Sequence, residues 1–254
     1  LLVALIGSGQ EIHEGEEGGI AQWVEAMKAA GGWEVVGPHL FERDFRAAGL
    51  PWRGDDLLQL TVTLRSHRAS DMALWAGLLL QGRLDEAARI AMEMRKLGYE
   101  MRGSRSLDAL REFTRERYLE EPGKRFGLVA SSRFRKIGDH GVRTPPAKFF
   151  PHGVWYESPP TDPRSCCRLE VAETEFGCQG LELDFPIVCW GPDLVWRGAG
   201  WTAVIKRRNP AVHRPEALRL NAYRVLLTRG RDGLAVFVPP GAADMAATWE
   251  ALLG

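Results

Sequence analysis

No stretch of this 254-residue chain reads Gly-x-x-x-x-Gly-Lys-[Ser/Thr], so it lacks the loop that cradles nucleotide phosphates. Gly123-Lys124 comes nearest, but Arg125 follows it and Tyr118 stands where the first glycine belongs. Long apolar runs are missing as well, since none approaches the ~20 residues that a membrane helix needs. Leu1-Leu-Val-Ala-Leu-Ile6 is too short, and has no basic leader, for a signal peptide. Cysteine is scarce: Cys166, Cys167, Cys178 and Cys189 show neither Cys-x-x-Cys spacing nor flanking histidine pairs. That argues against a zinc site or a disulfide framework and leads us to expect a reducing, cytoplasmic setting. Net charge is absent too, with 33 basic and 33 acidic residues. Any contact with a polyanion must then come from a local basic stripe.

What is present reads as a folded α/β protein with a parallel sheet covered by helices on both faces. Hydrophobic residues make up 45% of the chain, enough for a substantial core. Leu1 to Ile6 is a continuous apolar run ended by Gly7-Ser8-Gly9, the pattern of a buried parallel strand. A strand at residue 1 leads us to expect further sequence upstream. Ile20, Trp23, Val24 and Met27 recur at helical spacing, so a helix is predicted over about 19–30, then a short strand over Trp33–Val36. A Gly-, Pro- and Arg-rich passage over 45–56 suggests a domain boundary. Leu57–Leu64 reads as a strand, and Ala69–Leu119 as helical with a break near Gly98–Gly103 and Ser106 as an N-cap. Further strands are predicted over Phe126–Ala130, Arg168–Ala172, Phe185–Cys189 and Leu234–Val238, and helices over Glu216–Thr228 and Asp244–Leu253.

Polar residues gather at the boundaries of these elements, where α/β sheets bind ligands. Gln10 follows the first run, Arg65 follows the 57–64 stretch, Gln179 and Glu182 lie between two strands, and Arg229 ends a helix. Each also has a plainer account: a turn glutamine, a surface pair of Arg65 with Asp55 or Asp56, an arginine complementing a helix dipole. Glu182 and Asp184 flank Leu183 and would share a face, the arrangement of a metal-dependent nuclease, but no lysine follows at useful spacing. Basic stripes occur at Ser131-Ser-Arg-Phe-Arg-Lys136 and Lys206-Arg-Arg208. With Phe149-Phe150 and Trp155-Tyr156 they offer charge and stacking surface for a single strand, although such aromatics also serve local packing.

Two segments carry a resemblance. Thr174-Glu-Phe-Gly-Cys-Gln-Gly-Leu-Glu182 is similar to motif V of superfamily 1 helicases, and Tyr223-Arg-Val-Leu-Leu-Thr-Arg-Gly-Arg231 to motif VI. Leu64-Arg-Ser66 resembles motif IV, and Leu5-Ile-Gly-Ser-Gly-Gln10 resembles motif III with Ser8 where an acid is usual. More narrowly, the chain resembles the schlafen-related bacterial DNA/RNA helicase domain. The resemblance implies a RecA-like, P-loop-NTPase-type fold: residues 1–52 as the remnant of a first RecA-like domain, and 53–254 as a second with a helical insertion over about 69–120. It implies an ATP-dependent helicase or translocase whose phosphate loop, and with it ATP and Mg²⁺, belongs to an upstream RecA-like domain. In that pattern Gln10, Arg65 and Arg229 are catalytic, the two arginines reaching the γ-phosphate as fingers worth ~10³–10⁵ in rate. Gly180 and Glu182, with Arg65 and Arg229, line the nucleotide. Ser131, Ser132, Arg133, Thr174 and Gln179 meet single-stranded DNA or RNA. No metal ligand of its own and no membrane are implied. Phe176 stands where many relatives carry His, and Gly177 where some carry Lys. A non-catalytic RecA-like binding module and the Glu182/Asp184 nuclease stay open as other readings.

Overall fold

A computed structural model describes residues 1–4, 6, 11–14, 18–59, 67–144, 150–205, 212, 214–241 and 243–253. Helix α1 (Ile20–Ala30), strand β1 (Val35–Gly37), helix α2 (Glu42–Ala47) and strand β2 (Trp52–Gly54) form a small unit, β1 and β2 pairing in parallel. Its core is four residues, Val24, Val35, Phe45 and Trp52. Phe45 and Trp52 rings lie 4.7 Å apart, and a side chain at Gly37 would run into the Trp52 indole.

Beyond it come α3 (His67–Leu80), α4 (Leu84–Lys96), β3 (Glu100–Ser104), α5 (Leu107–Arg117) and β4 (Phe126–Ala130). Then follow α6 (His152–Glu157), β5 (Ala172–Thr174), α7 (Glu175–Cys178) and β6 (Phe185–Cys189). The chain continues through β7 (Leu194–Arg197), β8 (Gly200–Ala203), α8 (Pro215–Leu227), β9 (Gly233–Phe237) and α9 (Ala243–Leu253). Five strands build one sheet in the order β3-β9-β6-β4-β5, every neighbouring pair parallel. The fold is α/β of RecA-like type. The three central strands are buried at every position, as uninterrupted apolar runs must be when both faces are covered. Pro186 is tolerated inside β6 because pairing with β9 starts one residue later, at Ile187. Pro215 opens α8 at the position where a missing N–H costs nothing, and the Ser106 hydroxyl accepts from Ala109 N at 3.3 Å to cap α5.

The sheet and most helices match the sequence expectations, with four corrections. The strand expected over Arg168–Ala172 lies further on, as β5 at Ala172–Thr174, because Cys166–Arg168 is a 3₁₀ turn whose Cys167 N is held by Ser165 Oγ. Leu1, Leu2, Val3 and Ile6 are exposed and form no strand, because among the described residues no strand runs beside them to cover an apolar edge. Of the strand expected over 57–64, Asp56–Leu58 is instead a 3₁₀ turn held by the Asp55 carboxylate on Leu57 N (3.0 Å), and 60–64 lies outside the described residues. The break expected inside the 69–119 helices is β3, an edge strand of the main sheet. Glu-Met-Arg-Gly-Ser has little intrinsic strand preference, so pairing with β9 decides its conformation. The irregular stretch after β6 also holds an unforeseen antiparallel hairpin, β7 with β8, whose Trp201 indole donates to Leu79 O at 2.6 Å.

Candidate nucleic-acid interface

In a parallel sheet, residues that follow strands share one margin and residues that precede them share the other. Ser131 and Ser132 leave β4, Glu175 and Phe176 leave β5, and Pro192 and Asp193 lie just past β6. The first turns of α8 bring Leu218 and Arg219 to the same carboxyl margin, around a cavity of about 460 Å³.

The floor of that cavity is a polar network. Asp193, only 6% exposed, accepts from Ser131 Oγ (2.7 Å), Tyr223 Oη (3.0 Å) and Arg219 Nη1 (3.1 Å). Arg219 also donates to Ser131 Oγ at 2.7 Å and stands 3.9 Å from Glu175 Oε1. The Glu175 carboxylate, buried, takes both the backbone N–H (2.7 Å) and the hydroxyl (2.8 Å) of Ser132. Burial, reinforced by the Asp193 charge, holds the Tyr223 phenol well above its ordinary value, so it stays a neutral donor. With the floor carboxylates each bonded inward, the mouth carries Arg133, Arg135 and Lys136, with Glu14 3.1 Å from Arg133. These face out because Phe134 and Ile137 of the same loop are buried, anchoring it at every third residue.

Beside the basic loop stands Phe176, 43% exposed, on the short α7. That helix is seated tightly. A side chain at Gly177 would overlap the Glu173 carboxylate, itself fully buried and bonded to Thr174 N (2.7 Å) and His152 Nδ1 (2.6 Å). After α7, Gln179 (φ −62°, ψ 120°) and Gly180 (φ 89°) close a turn in which Leu181 N donates to Cys178 O at 3.1 Å. This is type II geometry, and it requires glycine at the second central position.

The opposite margin is a set of closed pairs. Arg231 holds Glu182 (2.8 Å), and Lys124 lies between Asp232 (2.5 Å) and Asp184 (3.4 Å). The hydrogen bond to Asp232 is the main reason the Lys124 ammonium is held above its usual range. Asp184 also accepts from Arg125 N at 2.7 Å. Arg229 is 2% exposed: Nε donates to Val225 O (2.8 Å), Nη1 to Leu181 O (3.1 Å) and Cys178 O (3.4 Å), and Nη2 to Thr228 Oγ1 (3.1 Å). The guanidinium thus bolts the end of α8 to the turn after α7, tying together the two segments singled out in the sequence.

The described residues expected at element boundaries divide between the two margins. Ser131, Ser132, Arg133 and Thr174 lie at the carboxyl margin; Gly180, Glu182 and Arg229 lie at the amino margin, with Gln179 exposed beside Gly180. Gln10, Arg65, Phe149 and Lys206–Arg208 lie outside the described residues. Trp155 is core, its indole bonded to Val171 O at 3.3 Å, so it is no stacking platform. Glu182 and Asp184 answer to different cations, and among the described residues no group of three or more His, Cys, Asp or Glu is arranged to hold a metal ion. The nuclease reading gains no support from that geometry. Sequence reasoning missed Asp193, Arg219 and Tyr223. Their signal was an acid just past a central strand and an Arg–Tyr pair four residues apart on one helix face.

The model of one protein family, described as Schlafen group 3, DNA/RNA helicase domain, matches residues 1–240. No protein of curated function and no solved structure matches the chain.

Proposed function

The chain belongs to the Schlafen group 3 DNA/RNA helicase domain family, and from that premise we propose that its carboxyl margin is the track for single-stranded nucleic acid. Arg133, Arg135 and Lys136 would take backbone phosphates, the part of any strand that supplies most of the affinity. Phe176 would stack a base, and Ser132 and Thr174 would lie along the strand. The observation that carries this reading is the exposed basic loop beside an exposed aromatic ring, both opening on one cavity at the strand ends. Arginine planes and aromatic faces are the sequence-tolerant grips that unwinding machines use.

ATP-driven movement, with a separate RecA-like domain holding the nucleotide, is part of the same proposal. The described residues do not themselves fit a triphosphate: Arg229 is committed to carbonyl oxygens, and Glu182 to Arg231. The finger role of Arg229 would require it to leave those carbonyls. The purified 254-residue chain is expected to turn over no ATP, with or without oligonucleotide; measurable turnover would show that a nucleotide site is complete within it. For the track, fluorescence anisotropy with a labelled oligothymidylate is the test. Replacing Arg133, Arg135 and Lys136 together by Ala should weaken binding and flatten its salt dependence. Unchanged affinity and slope would remove the carboxyl margin from consideration.

A further inference from the structure

One short segment touches both grips of the proposed track. Ile12 is buried in the main core, and its neighbour Glu11 is fastened to α8, its carbonyl accepting from Asn221 Nδ2 at 3.1 Å and its carboxylate at 3.2 Å. From that anchor His13 lies against Phe176, the ring centroids 5.0 Å apart and tilted by 40°. Glu14 places Oε1 3.1 Å from Arg133 Nη2. Ile12 and Glu14 both line the cavity with Arg133 and Phe176.

We propose that Glu11–Glu14 is an internal mimic of one nucleotide: His13 occupies the face of Phe176 that a base would stack on, and Glu14 occupies the guanidinium that a phosphate would bind. A planar ring and an anion on consecutive residues reproduce the spacing logic of base and phosphate. Single-stranded nucleic acid must then displace the segment to bind, so occupancy of the track and position of this segment exclude one another. Because the Arg133–Glu14 pair is about half exposed on both sides, the barrier it sets is small and reversible. The segment acts as a latch that admits a strand and keeps the basic loop from gripping stray anions.

This inference rests on the track reading, and the experiment separates the two. Anisotropy titrations with labelled oligothymidylate are run on the full 254-residue chain and on Glu14→Gln, His13→Ala, the double variant, Arg133→Ala, and Arg133→Ala with Glu14→Gln. Glu93→Gln, on α4 and paired with Lys96, controls for the mere loss of a negative charge. Glu14→Gln and His13→Ala should each tighten binding about two- to fivefold, the range that an exposed pair supports, and the double variant more. Glu14→Gln should give no gain once Arg133 is Ala, and Glu93→Gln should change nothing. Hydrogen exchange at residues 11–14 should rise when oligonucleotide is added. If Arg133→Ala weakens binding while neither Glu14→Gln nor His13→Ala tightens it, the latch is wrong and the track stands. If Glu93→Gln tightens binding as much as Glu14→Gln, the latch is also wrong. If even the double variant binds no oligonucleotide, both readings fall.

Discussion

The two margins of the central sheet are built from similar residues and reach opposite states. At the amino margin every prominent charge has a close partner: Arg231 with Glu182, Lys124 with Asp232 and Asp184, Arg229 with four oxygen atoms. At the carboxyl margin Asp193 and Glu175 are turned inward onto Ser131, Ser132, Arg219 and Tyr223, Glu14 meets Arg133, and Arg135 and Lys136 face out beside an open cavity. Arginine by itself therefore says little about ligand binding. What matters is whether the neighbouring backbone and carboxylates have already taken its donors.

The sharpest way to break this contrast is Arg229→Ala. It takes one donor from each of the carbonyls of Val225, Leu181 and Cys178 and opens a void beneath α8, so the chain should lose about 3 kcal/mol or more of stability. Urea unfolding at unchanged slope measures it. A wild-type midpoint would mean that the guanidinium is not a brace, and it would restore Arg229 as a residue free to serve a nucleotide.

The opposite outcome is expected across the sheet. The Arg133, Arg135 and Lys136 triple substitution to Ala should leave the unfolding midpoint in place. It should lower the slope of log affinity against log salt by about 2, three contacts at roughly 0.7 each for a single strand. A large stability loss would show that the loop is structural, like the amino margin.

Between these two lies the polar floor. Tyr223→Phe removes one bond to Asp193 and one acceptor for Gly191 N (2.9 Å), and should cost about 1 to 2 kcal/mol without touching any exposed charge. An unchanged midpoint would make the floor a passive lining. The smallest effect is on pH. Tyr223 titrates well above its ordinary value in the folded chain and near ~10 when unfolded, so its stabilising contribution is whole below that pH and is lost as pH rises beyond it. Tyr223→Phe should therefore make the alkaline limb of the stability profile shallower; an identical limb would assign the loss to other groups.

Much of the fold was legible in the chain. Phe126–Ala130, Phe185–Cys189 and Leu234–Val238 are uninterrupted apolar runs preceded by Arg125, Asp184 and Gly233, and a run with no polar face can only sit where both faces are covered. β3 was illegible because Glu-Met-Arg-Gly-Ser carries no such pattern; the edge of β9 imposes its conformation. The exposed run Leu1–Val3 shows the converse, an apolar pattern without a strand beside it. For the site, the basic loop and the Thr174–Glu182 and Tyr223–Arg231 segments were visible from residue types alone. The margin to which each belongs was not read, although strand direction implied it.

Composition and periodicity alone determined that this chain would build a parallel α/β sheet with polar residues at its ends, because burying apolar runs is a local, additive demand that each segment states for itself. Only the tertiary structure decided which cations are spent inside and which face solvent. That outcome depends on carbonyls and carboxylates brought together across dozens of residues, as when Leu181 O meets Arg229, and no window of sequence contains both partners of such a bond.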